Sequence, residues 1–215
     1  MKTTKLKIAG ILVVIMTIGF SFTTANKITI KGSDTMVILS QQWAEAYMKK
    51  HPETTIQVTG GGSGVGIAAL INGSTDIANS SRPMKPGELE KIKAKYNKNG
   101  IEIACAKDGL SVFLNKGNVV SELTVEQIGA IFSGKITNWK QVGGADAKIQ
   151  LYGRESSSGT FEFFKEHVVK TDFSPNCQTL PGTAAIVNAV KKDKYSIGYG
   201  GAAYAEDVKD CKVKK

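Results

Sequence analysis

Two histidines and three cysteines are all the imidazole and thiol groups that this 215-residue chain contains. Cys105, Cys177 and Cys211 stand far apart, with no CxxC and no metal-ligand spacing, which excludes a zinc ribbon and a dithiol redox motif. His51 and His167 are equally isolated, and both read as surface residues rather than ligands. There is no GxSxG nucleophile elbow, because Val65 follows Gly61-Gly62-Ser63-Gly64 where a glycine is required. The same Val65 breaks GxGxxG counted from Gly60, and no Lys-Ser/Thr pair follows the run to make a Walker A loop. No pair of carboxylates stands apart from helix-surface acids such as Glu88 and Glu90. The expectation is a protein with no metal, no cofactor and no catalytic turnover.

The first 25 residues have the three parts of an export signal: lysines at 2, 5 and 7, an apolar run from Ile8 to Phe22, and small residues Thr23-Thr24-Ala25 at the expected cleavage point. The apolar run is short for a membrane span. No cysteine lies near its end to accept a lipid, so the mature protein is expected to be soluble and periplasmic. That leader holds three lysines and no acid, leaving 25 basic against 19 acidic residues, a net of +6. The lysines are scattered, as at Lys91, Lys93, Lys95 and Lys98, in the manner of a solvated helix face, so no nucleic-acid partner is expected. After export a disulfide has one thiol too many, and one cysteine must remain free.

The remaining residues alternate short apolar strands with amphipathic helices, the pattern of an α/β fold. Strands are expected over 27–31, 55–59, 76–78, 101–106, 110–114, 149–152 and 197–199. Helices are expected over 36–50 (with Leu39, Trp43, Ala46 and Tyr47 on one face), 65–71, 87–96, 124–132, 160–169 and 183–191. Three polar clusters fall at strand-to-helix turns: Gly32-Ser33-Asp34-Thr35, Gly60-Gly61-Gly62-Ser63-Gly64, and Ser156-Ser157-Ser158-Gly159-Thr160 just after Arg154. A helix start offers unpaired N–H groups and a positive dipole end, hydroxyls add donors, and glycine admits close approach. Each cluster alone also suits an ordinary helix cap or loop. Four hydroxyls and an arginine at one turn exceed what a cap needs, and three such turns together make a cage for a small oxyanion.

These residues carry a resemblance. From about Ile28 to Tyr204 the chain is similar to the periplasmic phosphate-binding proteins of bacterial phosphate ABC transporters. The matching segments are GSDTM (32–36), GGGSGVG (60–66), DIANSSRP (76–83), IFSGKITNW (131–139), RESSSGT (154–160) and AIVNAVKKDKYSIGYGG (185–201). The resemblance implies a two-lobed, type II-like periplasmic-binding-protein architecture with a ligand cleft between lobes that are crossed twice, near 107–110 and 199–201. The lobes then comprise 26–108 plus 200–215, and 109–199. It implies a monomer that holds dehydrated inorganic phosphate and delivers it to the membrane permease of an ABC transporter. Carried over by motif, Arg154, Ser158, Gly159 and Thr160 are the second lobe's contacts and Ser63 is the first lobe's serine. Ser33 and Thr35 lie in a turn where family members differ.

Two departures bear on the ligand. Family members place an aspartate, which accepts the proton of hydrogen phosphate, where this chain has Ser81; Asp34 is the replacement acceptor at hand. Without a carboxylate acceptor, sulfate or another tetrahedral oxyanion is the alternative ligand, and a secreted serine-dependent phosphoester hydrolase the less favoured alternative activity. Arg82 reads equally as a cleft residue and as a surface residue beside Pro83. Family members also continue well past the segment matching Gly198 to Gly201, whereas this chain stops at Lys215.

Overall fold

The computed structural model describes residues 26–214, so the expected export signal lies outside the described residues. The first lobe opens with β1 (Asn26–Gly32), a 3-10 turn (Asp34–Met36) and α1 (Val37–Lys50). It continues through β2 (Thr54–Thr59), α2 (Ser63–Asn72), β3 (Ile77–Asn79) and α3 (Pro86–Tyr96). Its sheet is parallel with order β2-β1-β3; Asn26 to Lys31 pair with Thr54 to Thr59, and Ile30 to Gly32 with Ile77 to Asn79. Parallel neighbours need helical crossovers, and α1 and α2 supply them on opposite sides of the central strand. The strand ends Gly32, Thr59 and Asn79 therefore emerge together at a topological switch point, where an open α/β sheet presents a ligand crevice.

α1 turns a different face inward from the one expected. Ser40 and Ala44 are buried, while Trp43 and Tyr47 remain about half exposed (47% and 46%). The inward face carries a polar contact, in which the Asn79 amide at the end of β3 donates to Ser40 Oγ at 2.9 Å. α2 lies so close to β1 that a Cβ on Gly66 would come within 2.5 Å of Gly32 Cα, which only glycine allows. Residues 101–106, expected as a strand, have no strand partner and are exposed, Ile101 and Ile103 almost completely. β-branched composition alone does not make a strand where no ladder is available.

The second lobe contains β4 (Leu110–Leu114), β5 (Glu122–Thr124), α4 (Val125–Phe132), a 3-10 turn (Trp139–Val142) and β6 (Gln150–Arg154). α5 (Gly159–Phe164) follows and runs into one π-helical turn (Lys165–Val169). Then come β7 (Gln178–Leu180), α6 (Gly182–Lys192), β8 (Ser196–Gly201), a 3-10 turn (Ala202–Asp207), β9 (Lys209–Asp210) and β10 (Lys212–Lys214). Its five-stranded sheet has the order β7-β6-β8-β4-β9, with β4 antiparallel to both neighbours, and β10 pairs with β5.

The main core packs Leu114, Ile128, Ile131, Phe132, Trp139, Ile197 and Tyr199. The IFSGKITNW segment is thereby explained by packing: Ile131, Phe132 and Trp139 are fully buried, and the Trp139 indole donates to the Tyr195 carbonyl at 2.8 Å. A second cluster on α6 joins Phe113, Ile186, Val190 and Val208.

The last residues touch both lobes. Residues 202–207 touch the first lobe, where the Tyr204 hydroxyl donates to the Asp34 carbonyl at 2.9 Å. The chain then turns back: β9 pairs with Phe113 and Leu114, and β10 with Glu122 to Thr124, both on strands of the second lobe. Val208 and Cys211, both buried there, give this tail its apolar anchor. All three cysteines are free thiols, with Cys105 exposed and Cys211 buried.

Candidate functional site

Each predicted turn begins where a parallel strand ends. β1 delivers Ser33, Asp34 and Thr35; β2 delivers the glycines and Ser63; β3 delivers Ser80 and Ser81; β6 delivers Arg154 and, beyond it, Ser158, Gly159 and Thr160. Asp34 meets Arg154, and Ser63 and Ser81 meet the turn that holds Ser158 and Gly159; Ser33 and Thr35 flank Asp34, and Thr160 lies in the first turn of α5. Ser33, Ser63, Arg154, Ser158 and Thr160 are each at least nine-tenths buried.

On the first lobe, Ser33 Oγ lies 3.0 Å from Thr35 Oγ1 and makes no capping bond to the helix, so its hydroxyl is not committed to a cap. Ser63 accepts from the Ser81 N–H at 3.0 Å, and the two hydroxyl oxygens are 3.1 Å apart. Gly62 is held at φ +91 and Gly61 at φ +118, backbone that favours glycine and that aims α2 at the opposite lobe.

On the second lobe Ser158 is the N-cap of α5, accepting from Phe161 N–H at 3.3 Å. The following Gly159 and Thr160 N–H groups sit in the helix's first turn, where no intrahelical acceptor exists. The lobes meet here. Gly64 N–H donates to the Ser157 carbonyl at 2.9 Å, and a Cβ on Gly159 would stand 2.6 Å from both Ser63 Oγ and Ser81 Oγ. Ser157 therefore contributes its carbonyl, a role no side-chain motif announces.

Arg154 is the centre of the region, its side chain 1% exposed. Nη2 pairs with Asp34 Oδ2 across the lobes at 2.6 Å, Nη1 donates to Thr183 Oγ1 at 3.0 Å, and Nε donates to Glu155 Oε2 at 3.0 Å. Its backbone N–H donates to the buried Tyr199 hydroxyl at 3.3 Å, and that ring stacks on Phe164 at 3.9 Å. Burial pushes the Tyr199 phenol well above its usual value. Burial also pushes the Glu155 carboxyl up, but hydrogen bonds from Arg154 and from backbone N–H groups, Gly182 among them, outweigh it and hold Glu155 below the ordinary carboxylate range.

One buried guanidinium flanked by two carboxylates carries a net negative charge before any ligand arrives. Such a site suits an anion that brings a proton for a carboxylate to accept, and it disfavours one that is fully ionised. Sequence reasoning left out Glu155, Thr183 and Tyr199 as functional residues. Thr183 in the first turn of α6 was the one signal available, a hydroxyl placed like those of the three clusters.

Arg82 is neither in contact with Arg154 nor a free surface residue. It is paired twice with Glu88 at 2.9 Å and lies 3.0 Å from Glu162 of α5. His51 stacks on Tyr47 and His167 packs against Phe163, and among the described residues no His, Cys, Asp and Glu group is arranged to hold a metal.

Known proteins share this framework. The chain is 36% identical over 186 residues to a protein named phosphate-binding protein PstS from Pseudomonas aeruginosa, covering 80% of this chain and 58% of the relative. A Staphylococcus haemolyticus protein of the same name is 36% identical over 184 residues, with 84% and 57% covered. The chain thus spans somewhat more than half the length of these curated relatives. Among solved structures, a putative phosphate ABC transporter substrate-binding protein with bound phosphate from Clostridium perfringens superposes with a TM-score of 0.79 at 34% identity, over 87% of this chain and 76% of that one. An ABC-type phosphate transport receptor from Vibrio cholerae gives 0.60 at 32% identity, over 87% and 77%. Residues 21–215 match the PBP superfamily domain, and the two-lobed α/β chain belongs to that superfamily.

Proposed function

We propose that this protein binds inorganic phosphate in the periplasm, as a monomer and without turning it over, and hands it to the membrane permease of an ABC importer. Ser33, Asp34, Thr35, Ser63 and Ser81 from one lobe and Arg154, Ser158, Gly159 and Thr160 from the other are the proposed contacts. The observation that carries the reading is the meeting of helix starts from both lobes, with Asp34 on the buried Arg154 and the Ser63–Ser81 pair against Gly159. Relatives named for phosphate binding, and a similar structure with bound phosphate, support it.

Sulfate is the competing ligand, and Ser81 in the place of a family aspartate favours it. Asp34 and Glu155 beside Arg154 weigh the other way, since both repel an anion with no proton to share. Calorimetric titration with phosphate, arsenate and sulfate tests the assignment: phosphate and arsenate are expected to bind far more tightly than sulfate, and a preference for sulfate rejects it. Incubation with a chromogenic phosphate ester is expected to give no steady release of product; sustained turnover supports the hydrolase instead.

A further inference from the structure

The sequence contains only two arginines, Arg82 and Arg154, among 28 basic residues. Arg154 sits in the proposed anion site. Arg82 follows Ser81 directly, yet its guanidinium turns away from that site to a group of four charges at the margin of the cleft. Its fork is held within its own lobe by Glu88, through Nη1 to Oε2 and Nη2 to Oε1, both at 2.9 Å. Glu88 also accepts from the Lys85 N–H at 2.7 Å at the start of α3, and the Arg82 hydrogen bonds hold its carboxyl below the usual range.

With the guanidinium fixed in this way, Arg82 Nε lies 3.0 Å from Glu162 Oε2 of the opposite lobe, an ion pair whose N–H is not aimed at the carboxylate. Lys85 Nζ reaches the other oxygen of the same carboxylate at 2.8 Å. Two cations of the first lobe thus grip one carboxylate of the second. The Arg82 side chain is only 12% exposed and that of Glu162 30%, so water screens this contact less than it does an open surface pair. Both ends are tied to the anion-binding turns, since Arg82 adjoins Ser81 and Glu162 lies in the first turn of α5, three residues beyond Gly159.

We propose that Glu162 is a positioning residue: with Arg82 and Lys85 it forms an ionic clasp that keeps the lobes shut and so sets the rate at which the ligand leaves. The clasp touches no ligand and acts by holding the Ser63–Ser81 pair against Gly159. The release-rate part rests on the phosphate reading above; the closure part does not.

Charge at Glu162 can be altered without leaving Arg82 unpaired, because Glu88 still holds it. Glu162→Gln and Glu162→Lys are compared with the unaltered protein by ligand-free solution scattering and by chase of bound radiolabelled phosphate. The radius of gyration without ligand should rise from the unaltered protein to Glu162→Gln to Glu162→Lys. Phosphate release should accelerate by about fivefold in Glu162→Gln, with association little changed, as expected when a shielded contact rather than long-range steering is removed. Added salt should enlarge the ligand-free radius of the unaltered protein more than that of Glu162→Gln, in which the buried Arg154–Asp34 pair still joins the lobes. An unchanged radius in Glu162→Lys, with the fold intact by circular dichroism, overturns the clasp. If the unaltered protein fails to bind phosphate, the anion assignment falls, and the ligand-free scattering still decides the clasp.

Discussion

Asp34→Asn is the most informative single substitution, because it removes one charge from the anion site and keeps the shape. Asp34 Oδ2 lies 2.6 Å from Arg154 Nη2, and Oδ1 accepts from the Gly61 N–H at 3.3 Å. An anion bound to the same guanidinium stands about 5 Å from that carboxylate, where two unit charges repel by about 3 kcal/mol at an effective dielectric constant of ~20. The Asp34 side chain is 14% exposed, which screens the repulsion to about 2 kcal/mol, roughly a thirtyfold change in dissociation constant. Sulfate at neutral pH bears the whole of this repulsion. Hydrogen phosphate offsets it by donating a hydrogen bond from its O–H to the carboxylate. Asparagine is uncharged, accepts only through its amide oxygen, and can instead offer an N–H to a bare oxygen. Paired titrations at pH 7 should therefore show the phosphate-to-sulfate affinity ratio falling by roughly thirtyfold in Asp34→Asn. An unaltered ratio in a folded variant refutes the acceptor role and leaves Asp34 as a partner of Arg154 and of the Gly61 N–H.

Arg154→Lys keeps the charge but loses the fork that reaches Asp34, Thr183 and Glu155 together; phosphate affinity measured by calorimetry should drop by about thirtyfold or more. Glu155 has its folded-state pKa lowered from 4.5, so its contribution to stability is present above pH 4.5 and is lost as the pH falls through the lower folded value. The stability gap between the unaltered protein and Glu155→Gln, measured by urea unfolding, should therefore be wider at pH 7 than at pH 3. Burial pushes the Cys177 and Cys211 thiols up to about 11, whereas Cys105 is exposed. Mass spectrometry after brief alkylation at pH 8 should find one fast site per folded molecule, at Cys105.

Much of this architecture is legible in the sequence because it is local. A strand followed by Gly32-Ser33-Asp34-Thr35, or by Arg154 and a serine run, marks both the turn and its hydroxyls, and the structure places those turns where the strands end. What the sequence conceals depends on partners distant along the chain. Val208 and Cys211 look like residues of a basic tail until the free side of β4 and the core beside it provide a place for them. α1 turns Ser40 toward the Asn79 amide and leaves Trp43 and Tyr47 half exposed, and the partner of Ser40 lies far along the chain. Ser157 acts through its carbonyl, and carbonyls carry no sequence signature. Glu155 stands inside a recognised motif, but its service to Arg154 and to the Gly182 N–H emerges only when β6 and α6 are seen side by side. Arg82 was undecidable from its neighbours because both Glu88 and Glu162 determine where it points.

The central claim is that turns from both lobes close on one tetrahedral anion at Arg154. A crystal structure of the protein grown with phosphate tests it most directly. The account predicts one phosphate between the lobes, with oxygens within hydrogen-bond distance of the Arg154 guanidinium, of Ser63, and of the Ser158 to Thr160 turn. Phosphate bound elsewhere, with Arg154 still fully engaged by Asp34, Thr183 and Glu155, would contradict it.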